Sequence, residues 1–359
     1  MLTQVSGQKG NKTMACLWIT LAAGAALCAW NIRSGFQDVV EGYFFGALLI
    51  ISVALGGLGI RLIHTLTGGR WAEPVRKYFL CASRTFPAAL ILSIPVLFWL
   101  SRIYPWTAAH YGLRNAGYLN VPFFMVRCAI YFAVWMGSAW WLDKHNKRVN
   151  VSGLLGVLFA LTGTFAAMDW IMSLRPTWYS TIFGIAFVVG QVLYSFCFII
   201  MLNGFFKQPG STISKDGDSR FIDIGNIILT MLILWAYMSF SQFLLIWMAN
   251  KPDEISWYLG LTQNGWRAMP LFVIIVNFFV PFFLLLNRSL KSSPTFLAIL
   301  AAGIMLTRIV EMGWLVFANL SLGTGRLSPV HAGAAVAVVS LYMLVLLNRT
   351  RAYEREDVP

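Results

Sequence analysis

The sequence predicts an all-α integral membrane protein of about ten transmembrane helices, arranged as two four-helix bundles with two peripheral helices. Three observations predict it. Hydrophobic residues make up 58% of the chain and charged residues 11%, with a mean hydropathy of +0.69, a balance foreign to soluble domains. Ten apolar stretches reach about the ~20 residues a helix needs to cross the hydrocarbon. Lys and Arg also divide unequally between alternate loops, as they do in multi-pass chains.

The stretches fall near 14–32, 43–63, 80–103, 121–142, 152–174, 181–205, 224–249, 268–287, 295–317 and 330–348. The first follows Lys9 and Lys12 and reads as a retained anchor helix, since no small-x-small site closes it; a signal peptide's apolar region is the other reading. Residues 1–42 then hold the anchor, 43–174 a first four-helix bundle and 175–206 the start of a second. A cytoplasmic connector rich in Gly, Ser, Lys and Asp spans 207–223, 224–317 completes the second bundle, and 318–359 gives a last helix and tail. On this plan the N-terminus, even loops and C-terminus carry 18 Lys and Arg, and the odd loops 7. Both termini are therefore expected in the cytoplasm of a bacterial inner membrane. Topology and anionic lipid account for the net charge of +13, and no nucleic-acid partner is implied.

Cys16, Cys28, Cys81, Cys128 and Cys197 have no paired spacing and read as inert buried thiols, not as a disulfide, zinc or iron–sulfur framework. His64, His110, His145 and His331 fall at helix ends or in loops, so no helix offers a mid-membrane haem ligand. His64 and His331 read as solvated boundary histidines, with gating of proton entry as the alternative. Gly56-Gly57-Leu58-Gly59 lies inside a span and suits close helix packing. No phosphate-cradling loop, nucleophile elbow or metal-ligand cluster is present.

A shift of 148 residues superposes two stretches: Trp99 on Trp247, Gly117-Tyr118 on Gly265-Trp266, and Val121-Pro122-Phe123-Phe124 on Met269-Pro270-Leu271-Phe272. Equal loop length supports a repeat. Four spans separate the copies, so the repeat is parallel, pairing spans 2–5 with spans 6–9. Pro122 and Pro270 fit the first turns of their helices.

Arg127, Asp169, Arg308 and Glu311 stand out because an ionisable group inside the bilayer costs roughly 2.5–3.5 kcal/mol on insertion scales. All four fall in the outer half, Arg127 and Glu311 about 9 Å deep at 1.5 Å per residue. Tyr237, Ser239, Ser241 and Gln242 lie at similar depth, with Gln191 and Asn277 as further polar positions. Two readings stay open. One is a cluster that moves protons or borders a quinone, and the other is two structural ion pairs, Arg127–Asp169 and Arg308–Glu311. The outer tryptophans, among them Trp99, Trp170 and Trp257, suit an interfacial belt or a docking platform.

Two longer strings carry a family likeness. Met168-Asp169-Trp170-Ile171-Met172-Ser173-Leu174 is followed by Pro176 and by Trp178-Tyr179-Ser180-Thr181-Ile182-Phe183-Gly184; Leu234-Trp235-Ala236-Tyr237-Met238-Ser239-Phe240-Ser241-Gln242 precedes Trp247, Asn250, Pro252, Glu254 and Trp257-Tyr258. Together they resemble the NrfD-like membrane subunits of alternative complex III, a quinol:electron-acceptor oxidoreductase, and most closely the shorter ActF type. The resemblance implies two four-helix bundles and no redox centre bound by this chain. It implies partners in an ActC-like homologue, an iron–sulfur subunit and c-type cytochromes, with haem c and iron–sulfur clusters in those subunits. The implied role is support of proton transfer and scaffolding, with Asp169, Glu311, Arg127, Arg308, Tyr237 and Gln242 as proton-transfer candidates. Quinone binding near Asp169 is the alternative, although the family's quinol site pairs its aspartate with an embedded histidine that this chain lacks. A secondary transporter is the reading from another class.

Overall fold

The computed structural model describes residues 2–31, 35–108, 115–145, 149–206, 215–262, 265–320 and 327–356. Among them there are helices and no strand. Nine helices are long and apolar enough to cross a membrane, and one bent pair supplies a tenth candidate.

The chain runs through α1 (Leu2–Asn31), α2 (Phe36–Thr67), α3 (Arg76–Ser83), α4 (Phe86–Phe98), α5 (Leu100–Ile103), α6 (Val121–Lys144), α7 (Val149–Trp170) and α8 (Phe183–Phe206). It continues through α9 (Lys215–Ala249), α10 (Pro252–Leu261), α11 (Met269–Val273), a π-helical turn (Ile274–Phe279), α12 (Val280–Leu286), α13 (Arg288–Ser292), α14 (Pro294–Leu320) and α15 (Pro329–Glu356).

Three expectations change here, each for a local reason. The span expected over 80–103 is broken, with α3 and α4 bent by 45°. Pro87 brings no N–H and its ring opposes the carbonyl four residues back, that of Ser83, where α3 ends. The span over 268–287 is interrupted by the π-helical turn. Pro281 likewise opposes the carbonyl of Asn277, and the wider i→i+5 turn accommodates the lost bond. The connector expected over 207–223 is helical from Lys215 onward, continuing into α9, while 207–214 lie outside the described residues.

α2 is the axis of the body, buried along nearly its whole length. It packs against α3, α4, α7, α8 and α15, while α8 packs in turn against α7, α9 and α14. Close approach depends on missing side chains. A Cβ on Gly56 would lie 2.2 Å from Ser195 Cβ on α8, and one on Gly57 2.7 Å from Ala82 Cβ on α3, as the glycine run suggests. α1 is largely exposed and leans on α15, where a Cβ on Gly24 would come 2.6 Å from the Gly333 carbonyl.

α6 illustrates what faces outward. Phe124, Arg127, Tyr131, Trp135, Ser138 and Leu142 recur at helical spacing and are buried. The opposite face carries Phe123, Val126, Ile130 and Trp140, all exposed and all apolar. A soluble helix would place charges there, whereas an apolar outer face suits lipid or another membrane subunit.

The links between helix ends sort the loops into two sets. At one end Lys77 pairs with Glu354 at 2.5 Å, Arg220 with Glu73 at 2.8 Å, and Asp143 with both Arg61 and Arg84. At the other, Trp178 stacks on Trp257 at 3.6 Å, Trp106 donates to Ser173, and Trp314 donates to the Leu261 carbonyl. Odd loops meet odd loops, and even loops meet even loops.

Candidate functional site

The most enclosed ionic group is built where α6 begins and α7 ends. Asn120 caps α6, its side chain accepting from the Phe123 N–H at 2.9 Å, and Pro122 occupies the first turn. This start places Arg127 two turns in, facing α7. Asp169, next to last in α7, meets it with no solvent exposure at all. Arg127 Nε donates to Asp169 Oδ2 at 2.8 Å and Nη2 to Oδ1 at 2.9 Å, a bidentate pair. Tyr131, one turn along from Arg127, adds its hydroxyl to Asp169 Oδ2 at 2.6 Å. Arg127 Nη1 reaches the Tyr118 carbonyl at 2.9 Å, and its guanidinium lies 3.8 Å over the Tyr118 ring. Tyr118 lies in the preceding loop, and its burial, together with the nearby Asp169 charge, pushes its phenol up to about 12.

Arg308 and Glu311 pair one turn apart on α14. Arg308 is buried against α8, where a Cβ on Gly190 would collide with its Nη2. Trp235 on α9 lies under the guanidinium at 5.2 Å and within reach of the Glu311 carboxylate. Arg308 Nε is buried without a hydrogen-bond partner.

The four charged residues thus form two pairs on different helices, and among the described residues no hydrogen bond or ion pair joins one pair to the other. Gln242 is buried and donates to the Tyr258 hydroxyl at 3.2 Å. Tyr237 does not join the site: it is 63% exposed on the outer face of α9. Trp235 points inward, and a residue two positions on lies about 200° around the helix. Asn277 sits in the π-helical turn with no exposure, and neither amide atom has a partner. Gln191 is buried on α8 beside Gly190.

Sequence reasoning missed a third group. His331, expected to be solvated, is buried, with Nε2 3.3 Å from Glu41 Oε2 and 3.9 Å from Asp38 Oδ1. Gln37 donates to the other Glu41 oxygen at 3.0 Å. The first turns of α2 and α15 meet here, and a Cβ on Gly42 would lie 2.4 Å from the His331 carbonyl. Starting the span at residue 43 left Glu41 in a loop and hid the partnership. Arg61 lies inside α2, buried, 2.7 Å from Asp143. His64 packs edge-on against Trp71, with Nε2 3.3 Å from the Gly69 carbonyl. Of the five free cysteines only Cys81 and Cys197 are buried; Cys16 is exposed, contrary to the sequence reading.

No family model matches this chain, and no curated protein matches it. Among the described residues no three His, Cys, Asp or Glu side chains converge as a metal-ligand set. Among the described residues Asp169 takes its side-chain hydrogen bonds from Arg127 and Tyr131 and none from a histidine, so these residues do not make up the histidine–aspartate quinol pattern. What the arrangement offers is a carboxylate sealed among two donor side chains, with the Tyr118 carbonyl and ring already in contact with its arginine.

Proposed function

We propose that this chain is a multi-pass subunit of a quinol:electron-acceptor oxidoreductase of the alternative complex III kind, supporting proton transfer and scaffolding the subunits that carry haem c and iron–sulfur clusters. Counting α3 and α4 as one span gives ten, with both termini on the Lys- and Arg-rich cytoplasmic side. The two four-helix units would be α2–α7 and α8–α14, in contact through α2 and α8, with α1 and α15 outside. The packing of α8 against α9 and α14, and of α2 against α4 and α7, supports that grouping.

One observation carries the functional reading: Asp169, on the string behind the family resemblance, is an ionisable group with no solvent exposure inside a helical body with apolar outer faces. Ionisable groups at such a place mark proton or ion pathways more often than not. Asp169 would take a proton when Arg127 turns from the carboxylate toward Tyr118, with Tyr131 as the adjoining hydroxyl. Glu311 beside Arg308 and Trp235 would serve the second unit in the same manner.

The structural reading has an observation of its own, the bidentate closure of the Arg127–Asp169 pair, which leaves little carboxylate capacity free. Asp169→Asn and Glu311→Gln separate the two in the assembled complex reconstituted in vesicles. Proton translocation should fall while the partner subunits still co-purify. Normal translocation by both assembled variants would make the pairs structural ties.

A further inference from the structure

We infer that a cavity at the Lys- and Arg-rich end of the molecule binds the phosphate-bearing headgroup of an anionic phospholipid. The site stands apart from the buried acid–arginine pairs and does not depend on the oxidoreductase reading.

The cavity is an open depression of about 450 Å³ between the start of α3, the end of α8 and the end of α15. Glu73, Arg76, Lys77, Asn203, Tyr353 and Glu354 line it. Its size falls within the roughly 300–1,000 Å³ range of small-ligand sites. Its charges decide the ligand. Glu354 is taken by Lys77 at 2.5 Å, and Glu73 by Arg220 at 2.8 Å and Arg70 at 3.4 Å. Both acids are therefore neutralised by cations. Arg76 is left over, exposed, and without an ion pair or hydrogen bond to any described side chain. A guanidinium free at the mouth of this cavity suits two oxygens of a phosphate, which it can grip with paired N–H donors. No side chain caps the N-terminus of α3, which starts at Arg76, so the helix dipole adds partial positive charge at the same point.

The surroundings favour a lipid over a soluble anion. Phe205, two residues beyond Asn203 on α8, is 60% exposed, and Leu66 on α2 is 42% exposed, so apolar surface continues from this end of the body along its helices. A headgroup in the cavity would leave its acyl chains on such surface. Basic pockets between membrane helices at the cytoplasmic side are common seats for anionic headgroups. Arg349, Arg351 and Arg355 on the last turns of α15 add attraction at longer range.

The test uses the full chain in detergent, with bound lipid measured by native mass spectrometry and stability by thermal unfolding. The probes are phosphatidylglycerol and phosphatidylcholine in mixed micelles, and inorganic phosphate without lipid. Phosphatidylglycerol should bind in preference and raise the unfolding temperature. Arg76→Gln should weaken that binding about tenfold or more, Arg76→Lys less, and Arg288→Gln, an exposed arginine elsewhere, hardly at all. Equal binding of phosphatidylcholine, or equal loss in Arg76→Gln and Arg288→Gln, would overturn the proposal. The same stabilisation by inorganic phosphate alone would overturn the lipid assignment and leave a soluble-phosphate site. Arg76 has no partner to lose among the described residues, so its variants should fold.

Discussion

Truncating Asp169 to alanine, which unlike Asp169→Asn leaves Arg127 no side-chain oxygen at this position, should be the most damaging single polar change in the body, and its cost can be ranked against its neighbours. Asp169→Ala strips Arg127 of both carboxylate bonds and Tyr131 of its acceptor. The guanidinium keeps only the Tyr118 carbonyl and the flanking rings. Deleting one partner of a buried ion pair costs about 3–5 kcal/mol, because the other charge stays desolvated. Tyr131→Phe removes one hydrogen bond and leaves the ion pair intact. Interhelical bonds of that kind in membranes average about 0.6 kcal/mol and reach about 1.7. Tyr131→Phe should therefore cost well under half of what Asp169→Ala does. Replacing both charges, as Arg127→Met with Asp169→Leu, leaves no stranded charge and should recover most of the loss. Reversible unfolding in mixed micelles with rising SDS, followed by helical circular dichroism, gives the three values. Equal destabilisation of the single and double variants would refute the reasoning, since it would mean that no pairwise energy links α6 to α7 at this point.

Other outcomes follow from single features. Asn277→Leu should leave stability unchanged or raise it in the same unfolding assay, since neither amide atom has a protein partner; a loss above about 1 kcal/mol would reveal a partner held in the folded state. Gly56→Ala should disrupt the α2–α8 contact and lower the yield of folded protein, whereas Gly137→Ala, with nothing within 4 Å of its Cβ, should be tolerated or mildly stabilising. The Tyr118 phenol rises from an ordinary value near 10 to about 12 on folding. Its contribution is fully present below about pH 10 and lost as pH climbs toward 12, so Tyr118→Phe should flatten stability over that window; an unchanged alkaline profile would count against it.

The long spans were readable because hydrophobic length is the strongest signal a membrane chain carries, and α6 or α14 needed nothing else. Their interruptions were readable in principle, since Pro87 and Pro281 each deny a bond to a definite carbonyl. Span counting ignores that local term, and so the bend after Ser83 and the π-helical turn were missed. The helix over 215–223 was hidden for the opposite reason: its polar composition resembles a loop, and its helicity comes from continuation into α9. The charged pairs were legible from cost alone, as an arginine or acid in such a setting requires a partner. Their aromatic partners were not. Tyr131 and Trp235 are ordinary residues of a chain with 12 tyrosines and 15 tryptophans, and only register on the helix face singles them out.

Under the proposed repeat with its offset of 148 residues, the two units would carry different chemistry on corresponding helices. Arg127 corresponds to Ile275, inside the π-helical turn, and Asp169 to Phe317, whose ring packs edge-on against His331 at 5.1 Å. On that reading the second unit would lack the first unit's pair, and Arg308 and Glu311 share a single helix instead. The units so proposed would share helix starts at Phe36 and Phe183, within one residue of the offset, and proline in the first turn at Pro122 and at Pro270. If charge pairs served only to tie helices together, either unit could have kept the interhelical form, which does that best. A pair within one helix, like Arg308–Glu311, ties nothing by itself. Its burial against Gly190 on α8 and Trp235 on α9 is the arrangement on which the proposed proton-transfer role of Glu311 rests.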